Sequence, residues 1–136
     1  MVQIDKVSPQ DLVKIAVEQL AKSYSPYSHY PVSAALMTST GKIYTGVNIE
    51  NAAYPVTICA ERVAVFKAVS EGELKFKALA VVTENGGSPC GSCRQVLSEF
   101  GLDTKVYIAN KQGEIVMETT VGGLLPGAFL SEKLPG

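Results

Sequence analysis

Two short motifs place cysteine and glutamate side chains at the beginnings of predicted helices. In the first, Cys59 and Glu61 stand two residues apart at the start of the segment TICAERVAVFKAV. In the second, PCGSC, the thiols of Cys90 and Cys93 are three residues apart, so they share one face of a helix and can reach one ion. The positive end of a helix dipole favours the thiolate form that binds metals. These cysteines are therefore candidate metal ligands.

Other uses of the cysteines remain open at this point. Their odd number, in a chain with no predicted export signal, argues against a disulfide framework and leaves packing, redox chemistry or metal. Cys59 opens the helix before the one that carries the CxxC pair, and a helix-strand-helix crossover would bring both helix N-termini to one edge of a sheet. Three thiolates favour a catalytic zinc with an open fourth position. A structural zinc would need His29 or a carboxylate as its fourth ligand.

Glu61 suggests a use for that open position. In mid-helix, two residues apart means a rotation of about 200°, so Cys59 and Glu61 can face one site only at the first turn. A carboxylate there can take a proton from water and hand it on without binding the metal. The alternative is an ordinary acid in the first turn of a helix, where the dipole favours it.

The elements that must position these residues follow from hydrophobic periodicity and turn residues. The segment SPQD at residue 8 predicts a helix start, with Ser8 as the N-cap and Val7 placed to pack against Leu12. Strands that alternate with helices, with hairpins at two places, predict an α/β fold with a mixed sheet covered by helices. The predicted helices are 9 to about 24, 59–69 and 90–100, and the predicted strands are 32–38, 42–48, 78–83, 105–109 and 115–118.

The composition limits the classes of function. A chain of 136 residues that is 46% hydrophobic predicts a single domain over residues 1–136. Twelve basic and thirteen acidic residues give a net charge of −1, which argues against nucleic acid or an anionic membrane as partner. No apolar run approaches the roughly 20 residues that span a bilayer. We therefore expect a cytoplasmic protein with a small-molecule substrate.

The two motifs together resemble the zinc-dependent nucleoside deaminases, whose signature is Cys or His, any residue and Glu, followed by Pro-Cys-x-x-Cys. The segments NIENAAYPVTICAER, PCGSCRQVLSEF and LLPGAF are similar to those of the small homotetrameric cytidine deaminases, and the resemblance runs from about Leu12 to Phe129. It implies a three-layer α/β/α fold with a five-stranded mixed sheet and one Zn²⁺ per subunit. The implied reaction is the hydrolytic deamination of cytidine and deoxycytidine to uridine and deoxyuridine, a step of pyrimidine salvage.

The resemblance also implies roles for individual residues. Cys59, Cys90 and Cys93 would hold the zinc. Glu61 would take a proton from the attacking water, protonate the ring nitrogen and pass a proton to the departing amine. Residues implied at the nucleoside are Asn48 and Glu50 on the ribose 3′-hydroxyl, Ala52, Ala60 at the base, Tyr30 beside the base, and Tyr54 and Phe129 from neighbouring subunits. Turn formation would also explain Asn48 and Glu50, and core packing would explain the aromatic residues.

The chain departs from the usual pattern of these relatives at two positions. Tyr30 stands where Phe is usual, which keeps the stacking face and adds a hydroxyl. Ser33 stands where Gly is usual, which adds bulk where the backbone can run close to another element. Both departures concern the packing of the base and leave the chemistry of the metal motifs intact.

Three thiolates on a divalent ion carry a net charge of −1, so we expect a compensating cation. Arg62 is the first candidate, because all-cysteine relatives use an arginine at the matching position to hydrogen-bond the thiolates. Its alternative is a solvated surface arginine. Arg94, four residues after Cys90, is the second candidate, and a surface salt bridge to Glu99 or another carboxylate would explain it equally well.

Two rival functions stay open. Blasticidin S deaminases share the Cys-x-Glu and PCxxC motifs, although the segment NIENAAY resembles the one that reads a plain ribose. A zinc-stapled or thiol redox binding module without turnover would make Glu61 incidental. Editing of a polynucleotide is disfavoured by the near-zero charge.

Overall fold

The computed structural model describes residues 7–134, and the elements below lie in that part of the chain. Within it, no helix combines the length and hydropathy that crossing a membrane requires. The helices are α1 (Pro9–Gln19), α2 (Ala60–Ser70), α3 (Gly91–Ser98) and α4 (Val121–Leu124), and the strands are β1 (Val32–Thr38), β2 (Ile43–Val47), β3 (Phe76–Thr83), β4 (Lys105–Asn110) and β5 (Ile115–Thr120).

The strands form a five-stranded sheet in the order β2-β1-β3-β4-β5. The β3–β4 pair is parallel and the other pairs are antiparallel, so the sheet is mixed, as predicted. Side chains alternate between its faces. On one face, Ala35 and Val82 pack with α1, and on the other, Leu36 and Val81 pack with α2 and α3. This three-layer α/β/α arrangement confirms the predicted fold class.

The start of α1 confirms the prediction, but its end does not. Ser8 caps the helix in a capping box with Asp11. The helix ends at Gln19 and tightens into a 3-10 turn to Lys22, whereas the sequence pattern predicts helix to about Tyr24. The short helix α4 lies in a region for which the sequence pattern predicts no helix.

The Ser33 side chain bonds to the last turn of α1. The N–H of Leu20 bonds to the carbonyl of Val17 and not to that of Ala16, which leaves the Ala16 carbonyl without its usual helical donor. The hydroxyl of Ser33, fully buried on β1, donates to the Ala16 oxygen at 2.5 Å. The Ser33 side chain therefore satisfies a buried backbone group at the point where the chain leaves the helix.

The segments that carry the motifs lie at one end of the strands, where β1 begins and β2 and β3 end. Val32 at the start of β1 pairs with Thr83 at the end of β3, and the end of β2 lies beside them. The first turn of α2 packs closely on this end of the sheet because Gly46 has no side chain: a β-carbon there would collide with the Ala60 carbonyl and lie 2.7 Å from the Ala64 nitrogen. A site at the carboxyl end of a parallel strand is the usual arrangement in α/β proteins.

Candidate active site

Three thiols meet where the N-termini of α2 and α3 converge. Cys59 is the N-cap of α2 and Cys90 the N-cap of α3, both with extended backbone and without a side-chain capping bond. Cys93 lies one turn into α3 and is buried. Cys90 Sγ is 3.9 Å from Cys59 Sγ and 3.4 Å from Cys93 Sγ, and all three sulfurs lie within 4.8 Å of one another.

This cluster fits a zinc ion. Zinc–sulfur bonds of about 2.3 Å in a tetrahedron place sulfurs about 3.8 Å apart, close to the observed separations. A hydrogen bond with the Cys93 thiol lowers the pKa of Cys59 to about 5, and the same bond raises the pKa of Cys93. The Cys93 thiol thus shares its proton with the Cys59 sulfur, and a bound cation would take the place of that proton. Among the described residues the ligand cluster contains only the three cysteines, and His29 lines a different cavity.

Arg62 stands beside the thiols, as its sequence position suggested. Its Nη2 donates to Cys59 Sγ at 3.4 Å, and this bond raises the pKa of Arg62. Its buried Nε finds no hydrogen-bond partner among the described residues. The guanidinium is held next to the sulfurs and not in solvent, so it can offset part of the charge of three thiolates.

Glu61 lies in the first turn of α2 and is only 4% exposed. Burial raises the pKa of Glu61 to about 7, and the neighbouring Cys59 thiolate acts in the same direction. A carboxyl group with a pKa near neutrality can both hold and release a proton. The first-turn position that the spacing to Cys59 required is the one observed.

Glu61, Cys59 and Cys90 line one end of a cavity of about 270 Å³. Val81 and Thr83, from the end of β3, also line it. The volume lies just below the range of about 300–1,000 Å³ that is common for small-molecule sites. The cavity therefore suits one small molecule.

Asn48 and Glu50 line the other end of the cavity and are buried. Asn48 Oδ1 accepts from the N–H of Val32 at 3.0 Å and from the Ser23 hydroxyl, and its Nδ2 donates to the Tyr30 carbonyl at 2.9 Å. The Asn48 amide keeps one N–H for a ligand.

Glu50 is held by the loop before β1. Its Oε1 accepts from the N–H groups of Tyr27 and Ser28, each at 3.0 Å, and its Oε2 accepts from the Ser28 hydroxyl. The Ser28 hydroxyl lowers the pKa of Glu50 most, and the two backbone N–H groups add to it. Glu50 is therefore an ionised acceptor with one lone pair of Oε2 free to face the cavity.

The cavity also brings together three of the remaining predicted residues. Ala60 lies at its metal end, and Tyr30 and Tyr54 contribute to its walls. Tyr54 borders the cavity of its own chain, and its predicted contact with a neighbouring subunit's substrate stays a prediction. Ala52 and Phe129 are exposed and lie outside this lining, so their predicted contacts with substrate stay predictions.

Several residues of the site were missed by the sequence reasoning. Ser28 bonds to the Glu50 carboxylate and Ser23 to the Asn48 amide, from a segment in which the sequence drew attention only to aromatic residues. Arg94 was named from the sequence as the second candidate for the compensating cation, but its contacts were not foreseen: its guanidinium makes no ion pair with Glu99 and donates to the carbonyls of Pro89 and Leu124, at 2.8 and 2.9 Å, and to Ser88 Oγ at 2.9 Å. It ties the loop before Cys90 to the C-terminal segment. No local spacing in the sequence marks these contacts.

Comparison with known proteins agrees with this geometry. Residues 6–110 match the family model described as the cytidine and deoxycytidylate deaminase zinc-binding region. The chain is 57% identical over 116 residues to a cytidine deaminase of Sporosarcina psychrophila, covering 83% of this chain and 85% of that protein. It is also 36% identical over 132 residues to a blasticidin-S deaminase of Bacillus cereus, covering 88% and 92%.

A solved structure shares the fold. The crystal structure of cytidine deaminase from Burkholderia pseudomallei superposes with a TM-score of 0.85 at 42% identity, over 90% of this chain and 99% of that one. The family match covers most of the chain, including all three cysteines and Glu61. The chain belongs to the family of zinc-binding cytidine and deoxycytidylate deaminases.

Proposed function

We propose that this protein hydrolyses cytidine and deoxycytidine to the corresponding uridines and ammonia. The observation that carries the proposal is the buried Glu61 carboxyl, placed beside three cysteine sulfurs at one end of a small cavity whose other end presents Asn48 and Glu50. Relatives that are named cytidine deaminases support the choice of substrate.

Cys59, Cys90 and Cys93 would hold a single zinc. When bound, zinc supplies the Lewis acidity that makes water nucleophilic near neutral pH. Glu61 would take a proton from the attacking water, protonate the ring nitrogen next to the reacting carbon, and deliver a proton to the leaving amine. Its burial keeps bulk water from exchanging that proton during the reaction.

The other end of the cavity would orient the nucleoside. The free N–H of Asn48 can donate to the ribose 3′-oxygen, and Glu50 Oε2 can accept from the same hydroxyl. The Tyr30 ring and the backbone at Ala60 would border the base. Because these groups are fixed before substrate binds, little ordering would remain to be done on binding.

We further propose a homotetramer with shared active sites, acting in the cytoplasm as one catalytic domain over residues 1–136. Exposed large apolar side chains support association of subunits: Tyr24, Tyr27, Tyr54, Val56 and Phe129. The free thiols suit a reducing compartment. Light scattering of the purified protein would test the tetramer, for which a monomer at micromolar concentration is the contrary result.

The test of the reaction is direct. Purified protein with measured zinc content is mixed separately with cytidine, deoxycytidine, deoxycytidylate and blasticidin S, following absorbance and ammonia. We expect the two nucleosides to release one ammonia for each uridine formed. Preference for blasticidin S would favour the rival deaminase. Zinc-loaded protein that releases no ammonia from any of the four would favour the binding module.

A further inference from the structure

The loop between β3 and α3, residues 84–90, forms one wall of the cavity through Gly87 and Ser88 and leads directly into Cys90. Two glycines let it pass between neighbouring side chains. A β-carbon on Gly86 would lie 2.7 Å from Val116 Cγ2, and one on Gly87 would lie 2.7 Å from the Tyr30 hydroxyl. Both distances are shorter than van der Waals contact. The path of this wall is thus bounded by β5 on one side and by Tyr30 on the other.

The hydroxyl of Tyr30 also bonds to the loop. It donates to Asn85 Oδ1 at 2.6 Å. The same oxygen lies 3.5 Å from Thr83 Oγ1, which accepts the N–H of Gly87 at 2.7 Å. A chain of hydrogen bonds therefore runs from Tyr30 through the loop to the backbone that faces the cavity.

The contacts of the Tyr30 hydroxyl differ from those of its ring. The ring borders the cavity, and a phenylalanine ring, usual in the related sequences, would border it equally well. The hydroxyl points to the loop. We infer that Tyr30 is a positioning residue: its hydroxyl holds the Gly87–Ser88 wall at the separation from Ala60 that binds the nucleoside. This inference rests on the proposed function.

The effect should fall on substrate binding and not on the chemical step. Cys90 and Cys93 are held by α3, and Arg94 independently fixes Ser88 and Pro89 from the C-terminal side. Losing the Tyr30 hydroxyl would loosen the loop near Asn85 and leave the metal ligands in place. If the loop must become ordered when substrate binds, the free energy of that ordering weakens binding. KM then rises, and kcat stays near its original value.

The test uses Tyr30→Phe, Asn85→Ala and the double variant. We expect each single variant to raise the KM for cytidine about three- to tenfold, the range of one hydrogen bond, with kcat within about twofold. Zinc content should not change. Because both changes break the same bond, the double variant should be no worse than the more impaired single one. Tyr107→Phe, on the α1 face of the sheet, is the matched control and should leave KM unchanged.

Amide hydrogen exchange of residues 84–88 gives a second readout that needs no turnover. It should accelerate in Tyr30→Phe and not in Tyr107→Phe. A wild-type KM together with unchanged exchange in Tyr30→Phe would overturn the inference, as would KM effects that add in the double variant. If the wild-type protein does not deaminate cytidine, the proposed function fails, and the exchange measurement still decides whether Tyr30 holds the loop.

Discussion

The two ends of the cavity are built by different means. At the metal end, Cys59, Cys90 and Glu61 stand at the first residues of two helices, so a few backbone angles place each functional atom. At the sugar end, Asn48 and Glu50 follow a strand and are oriented by side chains and backbone groups 16 to 25 residues away in the sequence. The metal end depends on local geometry, and the sugar end depends on tertiary contacts.

This difference predicts how each end fails. A substitution at the metal end removes a chemical group while the helices keep their places, so kcat should fall and the fold should persist. A substitution at the sugar end releases a loop, so KM should rise. The isolated bridge of Ile49 with Ile58 joins the two ends through two backbone hydrogen bonds.

The largest effect is expected for Glu61→Gln. The amide preserves size and cannot carry protons, so kcat should fall by about 10²- to 10⁴-fold with zinc retained. The measurement is kcat for cytidine alongside zinc content. Glu71→Gln, an exposed change at the other end of α2, is the control and should behave as wild type. Near-normal turnover of Glu61→Gln would falsify the role of this residue in proton transfer.

A smaller effect is expected for Glu50→Gln at the sugar end. An amide nitrogen cannot accept the Ser28 hydroxyl, so kcat/KM should fall about tenfold to a hundredfold through misplacement of the ribose, mainly in KM. We expect the wild type to prefer cytidine over 3′-deoxycytidine and the variant to lose that preference.

The matched control is Glu114→Gln, an exposed change in the turn between β4 and β5, with no expected effect. A fall in kcat with an unchanged KM for Glu50→Gln would contradict the division between the two ends of the cavity.

The same difference decides what could be predicted from sequence. Helix geometry relates the spacing of Cys90 and Cys93 to one helix face and places Glu61 in the first turn. The cluster of three cysteines with Glu61 could therefore be predicted from the sequence. The partners of Glu50 could not, because no local rule connects it to Ser28. The spacing of two residues along one helix indicates which side chains share a face of that helix. It carries no information about loops that come into contact only after folding.

The glycines were signals that could have been used. Gly46, near the end of β2, and Gly87, in the loop before α3, each mark a close approach of the backbone to another element. Each glycine indicates that another part of the chain packs against its backbone, but it does not indicate which helix, strand or loop does so. The mixed sheet covered by helices could be predicted because strand and helix patterns alternate along the chain, and the three layers followed from the family resemblance. The order of the strands and the early end of α1, beside the buried Ser33 hydroxyl, depend on contacts that form only in the folded protein.

The next smaller effect concerns charge at the metal end. Arg62→Gln removes the cation that bonds Cys59, and we expect turnover to fall about tenfold. Adding Cys59→His in the same chain removes one thiolate charge and should restore part of the loss. The measurement is kcat in zinc-loaded protein.

Arg94 provides the control for this rescue. It bonds only oxygen atoms, so Cys59→His should not improve an Arg94→Gln variant. A double variant of Arg62 and Cys59 that is no better than Arg62→Gln alone would show that charge compensation is not what Arg62 supplies. The metal end would then depend on packing as the sugar end does.

The smallest effect on turnover is expected for Ser33→Ala, which tests how far the tertiary support of the sugar end extends. The variant leaves the buried Ala16 carbonyl without its donor and should lower the free energy of unfolding by about 1 kcal/mol in denaturant titration. Ser70→Ala, which also removes a hydroxyl bonded to a helix carbonyl but on the surface, should cost less. KM should change less than about twofold, because Ser23 and Ser28 keep their own bonds to the site. A large rise in KM would mean that the end of α1 sets the position of the whole loop, and that the sugar end is one cooperative unit reaching to the far face of the sheet.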